Sequence, residues 1–151
     1  MRRGLFLLLI AGWLLAPNAF SSEARIVKVL VHYLDAQGRQ SLSPSLYERD
    51  AYQARLRQNP GERKALRLDV QWKGRNPEAQ LKVKAELRGV RGNLIESRAL
   101  EQTLRPSRWL AAWSSVALEG EAYQLFGELV AWRVTLWDGD QLLGEQKSFL
   151  W

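Results

Sequence analysis

The chain has 151 residues, a formal net charge of +6, seven Trp and no Cys. Without cysteine there is no disulfide scaffold, no thiolate metal site and no thiol catalysis, so a conventional hydrophobic core has to carry the stability. The charge is mildly basic, with acidic residues interspersed and no Lys/Arg run, which argues against a nucleic-acid partner.

Taken in order, the chain opens on an export pattern. Arg2 and Arg3 are basic, Leu5 to Leu15 is apolar apart from Gly12, and small and polar residues follow to Ala24. This predicts a signal peptide over 1–24, cleaved after Ser21 or Ala24, because the apolar run falls short of the ~20 residues that a membrane span needs. The mature chain, 25–151, is expected to be one domain without a transmembrane span, periplasmic or secreted.

Ile26 to Leu34 is β-branched and apolar, and predicts a strand with Val27, Val29, Val31 and Tyr33 on one face and Ile26, Leu30 and Leu34 on the other. Ser43 to Gln58 breaks the β pattern. Ser43 as N-cap, Pro44 at the first helical position and apolar Leu46, Tyr47, Ala51, Ala54 and Leu56 predict a helix of about three turns, stopped by Asn59-Pro60-Gly61. Leu66–Lys73 and Leu81–Arg88 alternate without fault, with Leu66, Leu68, Val70 and Trp72, then Leu81, Val83, Ala85 and Leu87, facing inward. Gly89 to Asn93 reads as a turn, and Leu94 to Leu104 as a polar edge strand. Val116 and Leu118 mark a short strand, and Gly120 to Gly127 a corner containing Tyr123 and Phe126. Glu128 to Trp137 alternates with Val130, Trp132, Val134 and Leu136 inward. Asp138-Gly139-Asp140 is a hairpin turn, and Gln141 to Trp151 is the return strand, with a bulge expected near Gly144.

About seven strands with short turns predict an all-β sandwich with one short helix inserted after the first strand. The order resembles an immunoglobulin-like or fibronectin type III-like sandwich. Trp72 ends an early alternating strand, where fibronectin type III domains often place a core Trp, and Tyr123 precedes the penultimate strand, where a tyrosine corner sits. That resemblance implies that Leu66–Lys73 and Leu81–Arg88 belong to opposite sheets. It implies no function.

Chemistry-bearing patterns are sparse. Glu48 and Asp50, within Tyr47-Glu48-Arg49-Asp50-Ala51-Tyr52, form the densest polar cluster, and such a pair can serve as acid and base in glycoside hydrolysis. A solvated helix face explains them more simply. His32 is the only His, so a multi-His metal site is excluded and any triad would rest on it alone. Ser41, Ser43 and Ser45 lack a nucleophile-elbow setting. Gly89-Val90-Arg91-Gly92 is a loop rather than a phosphate cradle, and Asp138 and Asp140 read as turn residues rather than Ca²⁺ ligands. No catalytic residue, metal or cofactor is expected. Trp109, Trp113, Trp137 and Trp151, with Tyr47 and Tyr52, are the candidate binding aromatics.

The expected function is a non-enzymatic, exported binding module whose partner is an envelope protein or glycan. The rivals are a carbohydrate-binding module using exposed Trp, a small hydrolase using Glu48 and Asp50, and an envelope subunit joined through a sheet edge.

Overall fold

The computed structural model describes residues 24–74, 78–105 and 111–151. The proposed export segment up to residue 23 lies outside the described residues, as does Trp109. Among the described residues, seven strands form two antiparallel sheets: β1 (Arg25–Leu34), β2 (Ala65–Lys73) and β5 (Ala112–Glu119) in the order β1-β2-β5, and β3 (Leu81–Arg91), β4 (Leu94–Thr103), β6 (Glu128–Asp138) and β7 (Gln141–Lys147) in the order β4-β3-β6-β7. Two helices, α1 (Leu46–Gln58) and α2 (Gly120–Phe126), and a short 3-10 turn at Pro60–Glu62 complete the regular elements of the described residues. No helix among the described residues is long and apolar enough to cross a membrane.

β2 and β3 are the central strands that the sequence pattern marks most cleanly, and they lie in different sheets. Leu66, Leu68, Val70 and Trp72 from β2 meet Leu81, Val83, Ala85 and Leu87 from β3 in one core, each at most 1% exposed. The Trp72 indole N–H would be stranded there without a partner. It donates to Ser114 Oγ on β5 at 3.0 Å.

Three bulges shift side chains away from the strict alternation of the sequence. In β1 the register steps between Ile26 and Lys28, so Ile26 pairs with Trp72 and Val29 with Val70. Ile26 therefore packs on the core and Val27 is exposed, the reverse of the expected faces. In β6 the register steps opposite Arg88/Gly89, which leaves Val130 as the extra residue. Val130 is exposed rather than inward, while Leu129, Trp132, Val134 and Leu136 pack on the core. In β7, Leu142 pairs with Trp137 and Gly144 with Leu136. Leu143 is thus the extra residue, next to the expected Gly144.

The remaining differences are local. β3 runs through Gly89 to Arg91, so the turn is Gly92-Asn93, with Gly92 at φ +61. Gly89 is instead a site of close approach, since a Cβ there would lie 2.5 Å from the carbonyl oxygen of Phe126 and 2.8 Å from its ring. The expected corner is α2, which drives Phe126, fully buried, into the end of the core. β7 stops at Lys147 rather than at Trp151.

Helix α1 is capped by Ser45, whose side chain accepts from Glu48 N at 3.5 Å, and not by Ser43. Ser41 and Ser43 are used in a preceding serine turn, with Ser41 Oγ donating to Ser43 O at 2.6 Å. The helix buries Gln53 and Leu56. Leu46 and Tyr47, expected on its apolar face, are 68% and 84% exposed. Gln53 is the less expected of the two buried residues. Its amide accepts from Tyr33 N and donates to Tyr33 O, both at 2.9 Å, and also donates to Gln40 O at 2.7 Å. A side chain thus satisfies the outer backbone groups of the β1 edge where a neighbouring strand otherwise would. Farther along the same edge, Gln146 Nε2 donates to Val27 O at 3.3 Å.

Candidate functional site

Three polar clusters stand out. The first lies on the outer face of the β1-β2-β5 sheet. His32 Nδ1 and Asp69 Oδ2 are 2.9 Å apart, Ser115 Oγ donates to Asp69 Oδ1 at 2.5 Å, and an Arg67 Nη2 proton reaches Asp69 Oδ2 at 3.1 Å. Arg67 also bonds the Gln40 side chain. Register builds this group, because Asp69 of β2 pairs with Ser115 of β5 on one side and with Leu30, two residues from His32, on the other. Burial would raise the Asp69 pKa, but its bonds from His32 and Ser115 and the charge of Arg67 outweigh that and hold it down at about 2. The group contains Ser, His and Asp in the wrong order for nucleophilic catalysis. A base has to touch the nucleophile, whereas here the carboxylate stands between Ser115 and His32. The cluster ties three strands together.

The second cluster sits where α1 ends. Arg63 is 6% exposed. Its Nε donates to Leu56 O at 2.5 Å and its Nη2 to Arg57 O, so the guanidinium closes the C-terminal carbonyls of α1. Nη1 bonds Glu128 Oε2 at 2.6 Å, and the guanidinium stacks 4.2 Å from the centre of the Tyr33 ring. The Tyr33 hydroxyl donates to Glu128 Oε1 at 3.0 Å. Burial, then the nearby Glu128 carboxylate, push the Tyr33 phenol well above its ordinary range. Burial likewise raises Tyr123, whose phenol lies against Arg63. A hollow of about 440 Å³ opens beside Arg63, Lys64, Tyr123 and Glu128. Both Glu128 oxygens are engaged, one by Tyr33 and one by Arg63.

The third cluster is on the outer face of the β4-β3-β6-β7 sheet. Ser148 accepts from Trp132 N through its Oγ at 3.0 Å and returns its own N–H to Trp132 O at 2.9 Å. A turn follows, with Trp151 N donating to Ser148 O at 3.2 Å. The turn folds the Trp151 ring back over the sheet, 4.0 Å from the Arg88 guanidinium and 5.0 Å from that of Arg133. Arg133 is anchored by Glu86 Oε2 at 2.6 and 2.9 Å. Among the described residues Arg88 has no carboxylate partner. Trp151, Arg88 and Arg133 border a shallow hollow of about 330 Å³ that also touches the small residues Ser97 and Ala99.

No protein-family model and no curated protein sequence matches this chain.

The structure does not gather the candidate aromatics into one platform. Trp113 is half exposed on β5, on the outer face of the three-stranded sheet. Trp137 is on the outer face of the other sheet and donates its indole N–H to Thr135 Oγ1 at 2.9 Å. It lies four residues along β6 from Arg133, about 13 Å at strand spacing, so it does not share the Trp151 hollow. Tyr47 projects from the start of α1. Tyr52 is structural: its hydroxyl donates to Asp35 Oδ2 at 2.7 Å. Asp35 also accepts from the backbone of Gln37 and Arg39 and from the Arg39 side chain. These bonds overcome the effect of burial and hold Asp35 at about 2.

Asp50 pairs with the adjacent Arg49 and its carboxylate is 71% exposed, and Glu48 is exposed on the same helix. Asp138 accepts from Gln80 N at 2.8 Å, which fits a turn role. Among the described residues no group of three or more His, Cys, Asp or Glu is arranged to hold a metal ion. Nothing in the sequence singles out Arg88, Arg98 or Arg133, because each reads as an ordinary polar-face residue. Only the register of β3, β4 and β6 brings them beside Trp151.

Proposed function

We propose that this chain is an exported, non-enzymatic binding module of the cell envelope, built as an immunoglobulin-like or fibronectin type III-like sandwich. The observation that carries the binding reading is the Trp151 ring held against Arg88 and Arg133 beside a shallow hollow. Among the described residues no carboxylate occupies the donor fork of Arg88, which stacks on an aromatic ring, an arrangement suited to a carboxylate or phosphate group. The ligand class is accordingly an anionic envelope component, in keeping with the net positive charge of the chain. The strand order β1-β2-β5 against β4-β3-β6-β7, with Trp72 at the end of β2, supports the finer fold assignment. The dispersal of Trp113, Trp137 and Trp151 disfavours a flat carbohydrate platform, and the solvated Glu48 and Asp50 disfavour a glycosidase.

The test is retention of purified protein on envelope extract and on immobilised acidic polysaccharide. Arg88→Glu and Trp151→Ala should each abolish retention, and salt should weaken it. Retention unchanged in both variants, or glycosidase, esterase or peptidase turnover lost in a folded Glu48→Gln variant, would overturn this function.

A further inference from the structure

We propose that a second copy of this chain pairs with the β4 edge, antiparallel and centred on Ser97, to make a two-fold symmetric dimer with a continuous eight-stranded sheet. The proposal goes beyond the ligand-binding reading and stands without it, because it uses edge residues of β4 rather than Arg88 or Trp151.

β4 is a ten-residue strand at the border of its sheet, and its pairing with β3 runs without a register step from Arg91/Leu94 to Lys82/Thr103. Bulges, proline and covering side chains are the usual protections of such an edge. β4 has neither a bulge nor a proline; among the described residues no other element bonds its outer backbone groups, and only its own Arg98 Nη1 covers one, donating to Ser97 O at 2.8 Å, a contact that a second copy would displace. The β1 edge is different, since Gln53 and Gln146 occupy its outer groups at Tyr33 and Val27. Leu94 and Ile95, at the start of β4, are 60% and 76% exposed.

Side-chain alternation restricts the registers open to a copy. A continuous sheet must place inward residues opposite inward ones, so the two-fold falls on a single residue of the strand. Centred on Glu96 or on Arg98, it sets like charges against each other. Centred on Ser97, it sets Glu96 opposite Arg98 of the second copy twice over, Leu94 opposite Leu100, and Ile95 opposite Ala99. In the single chain Arg98 Nη1 already lies 3.1 Å from Glu96 Oε2 in a half-buried contact, so pairing extends a local ion pair into a four-charge ladder and covers the two apolar side chains. The Trp151 hollow touches Ser97 and Ala99, so the two hollows would meet across the axis.

The chain has no cysteine, which makes register testable by cross-linking. Opposed Cα atoms of an antiparallel pair are about 4.5–5.5 Å apart, within disulfide range. Under mild oxidation, Ser97→Cys should yield mainly a disulfide-linked dimer. Ile95→Cys alone should not, and an equimolar mixture of Ile95→Cys with Ala99→Cys should link. In sedimentation of the cysteine-free protein, Arg98→Glu should move the monomer–dimer midpoint to a concentration at least about tenfold higher, and Glu96→Arg/Arg98→Glu should restore it. A protein that remains monomeric at every accessible concentration, a dimer indifferent to Arg98→Glu, or equal linking of Ser97→Cys and Ile95→Cys would overturn the proposal.

Discussion

Arg63 and Glu128 are 65 positions apart in sequence and 2.6 Å apart in space. Their contact joins the end of α1 to the start of β6, and Arg63 is the member that cannot be spared. Its guanidinium also serves two helix carbonyls and the Tyr33 ring, while the Glu128 side chain is 54% exposed. Arg63→Ala should cost on the order of 2–4 kcal/mol in urea unfolding. Glu128→Gln should cost about 1 kcal/mol or less, and Arg63→Lys should recover little, because an ammonium lacks the fork that spans these acceptors.

Acid stability should depend on Asp69. Its folded pKa of about 2 lies below its ordinary 3.8, so its contribution is full above roughly pH 4 and is lost as pH falls through about 2. Asp69→Asn should lower stability near neutral pH by on the order of 2 kcal/mol and flatten the fall between those limits. Unfolding free energies measured down the acid range check this. Asp35, held at about 2 by Tyr52 and Arg39, contributes in the same window, so the variant should retain part of the slope.

The two tryptophans of the alternating strands should separate. Trp72 is 1% exposed with its N–H satisfied, and Trp72→Ala should cost about 3–5 kcal/mol. Trp132 only flanks the core, and Trp132→Ala should cost clearly less, roughly 1–3 kcal/mol for the area it covers. Comparable losses in chemical denaturation would contradict the difference in burial.

Gln53→Leu should expose the Tyr33 amide. With the side-chain acceptor gone, hydrogen exchange at Tyr33 should accelerate while that of the β2 core amides changes little beyond the drop in global stability. The unpaired backbone groups should cost on the order of 1–3 kcal/mol. Unchanged protection at Tyr33 would show that the amide clamp is dispensable.

Much of the frame is legible in the sequence wherever a single rule governs a segment. Leu66 to Trp72 and Leu81 to Leu87 obey period-two alternation and nothing interferes with them, so their strands and inner faces follow directly. Val27 and Val130 defeat the same rule because a bulge is defined by the partner strand, and no property of either residue announces it. The apolar residues of α1 point to docking through them, yet the helix also docks through the amide of Gln53, whose partner on β1 lies 20 positions away. Likewise His32, Asp69 and Ser115, or Arg88, Arg133 and Trp151, become neighbours only once strand register is known. Composition could flag tryptophans as candidates for recognition, but not which of them would find arginines.

The Gln53 clamp has a consequence for how large an assembly can become. A sandwich with reactive borders on both flanks adds copies without limit, as fibrils do. Here glutamine amides occupy the outer backbone groups of β1 at Tyr33 and Val27, so a strand cannot add along that border without displacing them. An amide that looks like a local hydrogen-bonding detail therefore also guards a sheet border, and its removal would offer the Tyr33 backbone groups to an incoming strand.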